Sequence, residues 1–188
     1  MSRPDTALAW VADGQALVER TVGKLDDLRG PSRLPGWSRG HVVTHIARNA
    51  DGLCRLLAWA RTGVATPMYV SEAARDTDIE AGAGRARGEQ LEDLRRSGAA
   101  FTAAAQELTS EQWKATVATR HGEVPATFIP WARTRELWLH LVDLDAGAGV
   151  EVIPEDVASA LIRDVAEQMT SRVSTRIELA LPDGARVT

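Results

Sequence analysis

The 188-residue chain has a single cysteine, Cys54, so no disulfide can close within it. A lone thiol suits a reducing compartment. Aromatic residues are also scarce, at 5%, and unevenly chosen: six tryptophans stand against one tyrosine and two phenylalanines. No apolar run reaches the roughly 20 residues that a membrane-crossing helix needs. The opening MSRPDTALAWVADGQ lacks the apolar stretch and small-residue cleavage site of a signal peptide. Clustered positive charge is missing too. The net charge is -4, with lysine and arginine interspersed among acids, whereas a phosphate backbone calls for a concentrated basic surface. The densest basic stretch, Arg85-Ala86-Arg87, is diluted by glycine and followed by acids, and reads as a solvated loop. These absences exclude a disulfide scaffold, a membrane span and a nucleic-acid binder. The expectation is a soluble, cytoplasmic protein, its oligomeric state open with a monomer favoured.

What is present is helical periodicity. Leu8, Val11, Val18, Val22, Leu25 and Leu28 recur at helix spacing behind a capping Asp5, and Gly30-Pro31 ends the segment. The stretch SRLPGWSRG is a loop. Ser38 then caps a second helix that runs past His45 and Cys54 to about Arg61, closed by Thr62-Gly63. Residues 64–88 are polar and aperiodic and read as a long loop, with room for a short helical piece. A third helix is expected over 89–108. Residues 113–128 read as an extended excursion turning at His121-Gly122, and His121 is expected to be exposed there. A fourth helix starts at Pro130 and reaches about Leu144. Beyond Gly147 and Gly149 the pattern changes. Pro154-Glu155-Asp156 opens a fifth amphipathic helix to about Ser174, and residues 176–181 alternate like a strand that enters a turn at Pro182-Asp183-Gly184. The reading is therefore mainly α: a helical bundle over residues 1–149, then the beginning of a truncated or very small α/β domain over 150–188.

The chemistry-bearing residues come in pairs. His41 and His45 lie four apart on the second helix, and Glu136 and His140 lie four apart on the fourth. Residues four apart share a helix face. Four-helix bundles build metal sites from such inward-facing side chains, and a His, His, Glu set leaves a coordination position open, as catalytic zinc sites do. His41, in the first turn, is a fourth metal neighbour, a substrate contact or a packing residue, the last being favoured. Asn49 and Gly52 project near the His45 face and Cys54 lies opposite it, so Cys54 reads as a buried filler. Arg133 and Asp143 line up with Glu136 and His140. Asp143 either accepts a hydrogen bond from a ligand or is a charge in the last turns of the helix. Arg133 either meets a substrate carboxylate or makes a surface salt bridge, the second being the safer assignment. Trp59, Trp131 and Trp138 read as core, and Trp37 as a staple between loop and bundle.

The segment from Leu34 to Asp51, LPGWSRGHVVTHIARNAD, closely resembles the N-terminal domain of mycothiol-dependent maleylpyruvate isomerases, and the segment from Pro130 to Leu144, PWARTRELWLHLVDL, resembles the same family's second motif. That domain belongs to the wider DinB-like, metal-binding four-helix bundles. The resemblance runs from about Ala7 to Ala146. It implies a DinB-like bundle, with zinc (or another divalent metal) on His45, Glu136 and His140. It also implies mycothiol, the low-molecular-weight thiol of actinobacteria, as cosubstrate. The implied reaction is isomerisation of maleylpyruvate to fumarylpyruvate by thiolate addition, bond rotation and elimination. Asn49 is then a candidate cofactor contact, Arg133 a candidate substrate contact and Asp143 a support for a metal ligand. In that family a full α/β domain follows the bundle, and only its first helix and strand are expected here. The alternatives are a mycothiol S-transferase acting on another electrophile, with Arg133, Arg135 and Arg48 as the cations whose convergence would tell them apart, and a non-catalytic zinc bundle serving as a thiol sensor or partner-binding module.

Overall fold

A computed structural model describes residues 3–119, 122–170, 178–180 and 184–187. His121, the whole of 171–177, on which the expected end of the fifth helix and start of the strand fall, and 181–183, with most of the expected turn, lie outside the described residues. The chain divides into two compact units, Met1–Gly147 and Ala148–Thr188.

The first unit is built on four long helices, α1 (Asp5–Lys24), α2 (Arg39–Thr62), α4 (Arg87–Gln106) and α5 (Ile129–Asp143), with a shorter α3 (Glu72–Ala83) between α2 and α4. Helix α2 is central and packs on α3, α4 and α5, while α1 packs on α4 and α5. Its inward face (Val42, Val43, Ile46, Ala50, Leu53, Leu56 and Leu57) is almost fully buried. Each such large aliphatic side chain contributes about 1.5–3 kcal/mol of burial free energy. Ser38 caps α2 as expected, and Gly63 ends it in the left-handed conformation at φ 73°.

Helix α1 ends at Lys24, earlier than its apolar spacing suggests. Leu25 is already extended, and the Asp27 carboxylate accepts a bond from the Arg29 N–H, offering the chain a turn instead of another helical turn. Leu28 is buried all the same, and its carbonyl accepts from the Gly40 N–H at the start of α2.

The short helical piece allowed within 64–88 is α3, which takes up twelve residues of the expected long loop. This helix escapes a periodicity reading because Ile79, Gly82 and Ala83 are its buried residues, so it carries no apolar stripe. It lies on α2 by close backbone approach. A Cβ on Gly40 would stand 2.2 Å from the Ala83 carbonyl oxygen, and one on Gly82 would stand 2.4 Å from the Thr44 side chain.

The excursion after α4 is a hairpin of β1 (Thr116–Thr119) and β2 (Gly122–Pro125), paired antiparallel from Thr116↔Pro125 to Thr119↔Gly122. Trp113, just before it, is fully buried, whereas Trp59 and Trp131 are half-buried, so the hairpin brings a core tryptophan of its own. In the second unit α6 spans Glu155–Thr170. The strand expected near its end is not alone: β3 (Leu179–Ala180) pairs antiparallel with β4 (Arg186–Val187). Among the described residues no helix is long and apolar enough to cross a membrane.

Candidate metal centre

Helices α2 and α5 cross so that His45, Glu136 and His140 meet. Each offers one ligating atom, and these atoms all lie within 4.8 Å of one another. The Glu136 Oε2 is 2.7 Å from His45 Nε2 and 3.3 Å from His140 Nε2. The two imidazole rings stand edge to face, 4.7 Å between centroids. His45 is buried, while the Glu136 side chain keeps 30% of its exposure, so the cluster opens towards solvent on the carboxylate side.

Two arginines lock this crossing. Arg39, the first residue of α2, donates to the carbonyls of Leu144 and Asp145 at the end of α5, and the Arg33 N–H donates to the Asp143 carbonyl. These bonds satisfy carbonyls that the end of a helix leaves without partners. Deeper in the bundle, Arg133 on α5 reaches across to α2. Its Nη1 donates to the Ile46 carbonyl at 2.7 Å and to Asn49 Oδ1 at 2.9 Å, and its Nη2 donates to Gln15 Oε1 of α1 at 3.0 Å.

The electrostatics follow from this geometry. Burial opposes ionisation of Glu136, but hydrogen bonds from His140 and His45 outweigh it and hold the carboxyl well below the usual carboxylate range. Burial would also lower His140, yet the bond to Asp143 and the Glu136 carboxylate win, raising it to about 9. His45 goes the other way, because its burial prevails over Glu136 and it is lowered.

Asp143 accepts from His140 Nδ1 at 2.9 Å, as the sequence suggested. That bond fixes the ring so that Nε2 faces the cluster, the usual arrangement behind a metal-ligating histidine. The donor set fits a divalent ion. Two imidazole nitrogens and a carboxylate oxygen suit zinc, and donors on one four-coordinate ion with bonds of about 2.1 Å lie roughly 3.4 Å apart, the scale of this cluster.

Other assignments are corrected. Arg133 is fully buried and makes neither a substrate contact nor a surface salt bridge; burial lowers its pKa to about 10, and its donors are spent on helix α2 and Gln15. Asn49 is buried against Arg133, so its carbonyl oxygen serves the core rather than a cofactor. Arg48 is held by Asp93 and Asp51, so neither it nor Arg133 is free to serve the cluster, and Arg135 is half-buried with partners of its own. His41 is not a fourth ligand. Its Nδ1 meets the Ser38 N–H and hydroxyl, and its Nε2 lies 3.0 Å from Glu80 of α3. Trp37 stacks on His41 and sits 5.6 Å from the His45 ring, forming one wall of the site rather than only a staple.

The residue missed from sequence is Arg75. Its Nη2 lies 3.1 Å from His45 Nδ1, delivered by α3, a helix the sequence allowed only as a short piece of unplaced bounds and facing.

Cys54 is half-buried, and burial pushes its thiol up to about 11. It is a poor thiolate source at neutral pH. Cys54→Ser is expected to keep a full complement of metal and to shift thermal stability by no more than about 1 kcal/mol, read by elemental analysis and thermal denaturation; a loss of metal would make the thiol a ligand.

Residues 7–145 match the family described as the mycothiol maleylpyruvate isomerase N-terminal domain. Over 97% of its length the chain superposes on the crystal structure of the mycothiol-dependent maleylpyruvate isomerase, with a TM-score of 0.90 and 33% identity, covering 78% of that protein. The crystal structure of a histidine-to-alanine mutant of that isomerase is similar at TM-score 0.89 and 32% identity, with the same coverages of 97% and 78%. No protein of curated function matches the chain.

Proposed function

Because the chain belongs to the family of mycothiol maleylpyruvate isomerase N-terminal domains, we propose that it is a zinc- and mycothiol-dependent cis-trans isomerase converting maleylpyruvate to fumarylpyruvate. The observation that carries this reading is the convergence of His45, Glu136 and His140 at a cluster open on one side. Those residues would hold the ion. Bound there, zinc supplies Lewis acidity that lowers the pKa of a thiol brought to its open position.

The protein's own groups prepare that position. Glu136 stays anionic between two imidazoles, and Asp143 orients His140. Trp37 covers the His45 side and limits water. The chain does not supply the nucleophile, since Cys54 is a protonated thiol on the opposite face of α2. An external thiolate does so. Its sulfur bonds to one alkene carbon, and the π pair moves into the conjugated carbonyl. Rotation about the resulting single bond follows. The pair then returns, re-forming the double bond in the trans geometry and expelling the thiolate. No oxidant, reductant or net proton is consumed.

The test is to express the chain, measure bound metal, and assay the same sample with maleylpyruvate in the presence and absence of mycothiol. One zinc per chain and thiol-dependent turnover are expected. Zinc without turnover would overturn the isomerase assignment and leave S-transfer to another electrophile or a non-catalytic zinc bundle. A metal-free protein from a chelator-free purification would overturn the site itself.

A further inference from the structure

A guanidinium can only donate hydrogen bonds. Since Arg75 Nη2 faces His45 Nδ1 at 3.1 Å, that nitrogen is the acceptor. The other ring nitrogen, Nε2, then carries the proton and donates it to Glu136 Oε2 at 2.7 Å. An ion taken up by this cluster needs the Nε2 lone pair. A neutral imidazole that ligates through Nε2 keeps its one proton on Nδ1. Nδ1–H and the Arg75 N–H would then point donor against donor. Metal uptake therefore frees the guanidinium from His45.

What it turns to is set by charge and by its neighbours. The Arg75 side chain is 20% exposed, so it can still reach solvent and ligand. Its Nη1 is bonded to Asp76, an exposed carboxylate adjacent in sequence. The other arginines nearby are committed: Arg133 to Ile46, Asn49 and Gln15, Arg39 to the end of α5, and Arg48 and Arg85 to Asp93. We propose that Arg75 is the substrate-binding residue of this site, released from His45 when the metal enters and then pairing with a carboxylate of a dicarboxylate substrate. The planar fork of arginine suits a carboxylate through two parallel bonds.

This proposal rests on the metal reading above, and its test separates the two. The full chain, wild type, Arg75→Met and Arg75→Lys, is titrated with zinc against a competing chelator. Each zinc-loaded protein is then titrated calorimetrically with maleate, a plain dicarboxylate. Methionine keeps the apolar stem and removes the donors. Arg75→Met is expected to bind zinc several-fold more tightly, because a competitor for His45 is gone, and maleate about tenfold more weakly, the effect of losing roughly 1.4 kcal/mol. Arg75→Lys should fall between on both axes, since it keeps the charge without the fork. Opposite signs cannot arise from a general loss of fold. Arg75→Met that binds maleate like the wild type, or zinc more weakly, overturns the assignment while the metal reading stands. Wild-type protein that takes up no zinc overturns both, and the metal titration alone reveals it.

Discussion

His140→Ala should lose metal altogether under conditions in which the wild type keeps one ion per chain. The substitution removes one of three donors and also strands Asp143, whose carboxylate accepts from the His140 ring. An outer partner such as Asp143 is by itself worth about 10–100-fold in metal affinity, so loss of the ligand should cost more than that. The pH dependence supplies a second signature. With His140 raised to about 9 by Asp143 and Glu136 against the opposing effect of burial, the metal-free ring is protonated at neutral pH. Metal uptake then expels that proton, and affinity climbs about tenfold per pH unit until the ring titrates. His45, lowered by burial, is already neutral and adds no such slope. Calorimetry in buffers of different ionisation enthalpy should count one proton released by the wild type near pH 7. A His140→Ala protein that retains one ion per chain would sink the assigned centre.

Arg133→Met should destabilise the bundle strongly while leaving every proposed ligand in place. Exchanging a buried charge for an apolar side chain is often neutral when its partners go with it. Here they stay. Asn49 Oδ1 and Gln15 Oε1 would be left facing a methyl group, and the Ile46 carbonyl would lose its bond from α5. At about 1–3 kcal/mol for each stranded acceptor, a net loss of roughly 3 kcal/mol is expected. Total stability for such a domain is about 5–15 kcal/mol, and each kcal/mol is worth about 2–4 °C in a chain of this size. Thermal unfolding should therefore begin some 10 °C lower, by the same size scaling. A midpoint within 2 °C of the wild type, less than about 1 kcal/mol, would mean that the three acceptors find other donors and that Arg133 does not set the spacing of α2 and α5.

The contrast between Arg133 and His140 shows what the sequence made legible. The pairs His41/His45 and Glu136/His140 could be placed because each obeys helix periodicity on a helix whose start, at Ser38 and Pro130, is readable, and the family resemblance then singled out His45, Glu136 and His140. Periodicity says which face a residue shares, not how deep it sits. Arg133 shares the Glu136 face and lies one turn further into the bundle, where it is fully buried, so a residue taken for a surface or substrate contact is a core tie. The same limit left α3 only as a short helical piece without bounds or a facing side. A helix held by glycine against backbone has no apolar stripe to betray it, and with α3 went Arg75. The hairpin at β1 and β2 was visible as an extended excursion turning at His121-Gly122 but not in its pairing, because register is a tertiary fact. The strand near residue 180 was read without a partner because its mate is two residues long.

The contact of Gly40 and Gly82 with their neighbours across the α2–α3 seam separates two kinds of change open to this protein over evolutionary time. The proposed ligands are borne by α2 and α5, and Arg133 and Arg39 brace those helices without help from α3. The cation that faces His45 is borne by α3, which is seated by its own small-residue contacts. A lineage can rewrite the exposed face of twelve residues, Glu72–Ala83, and so alter which anions are admitted, while the inherited ligand geometry is untouched. Retention of the two long motifs across proteins with different substrates, alongside free drift in the α3 segment, is the pattern such a partition would leave.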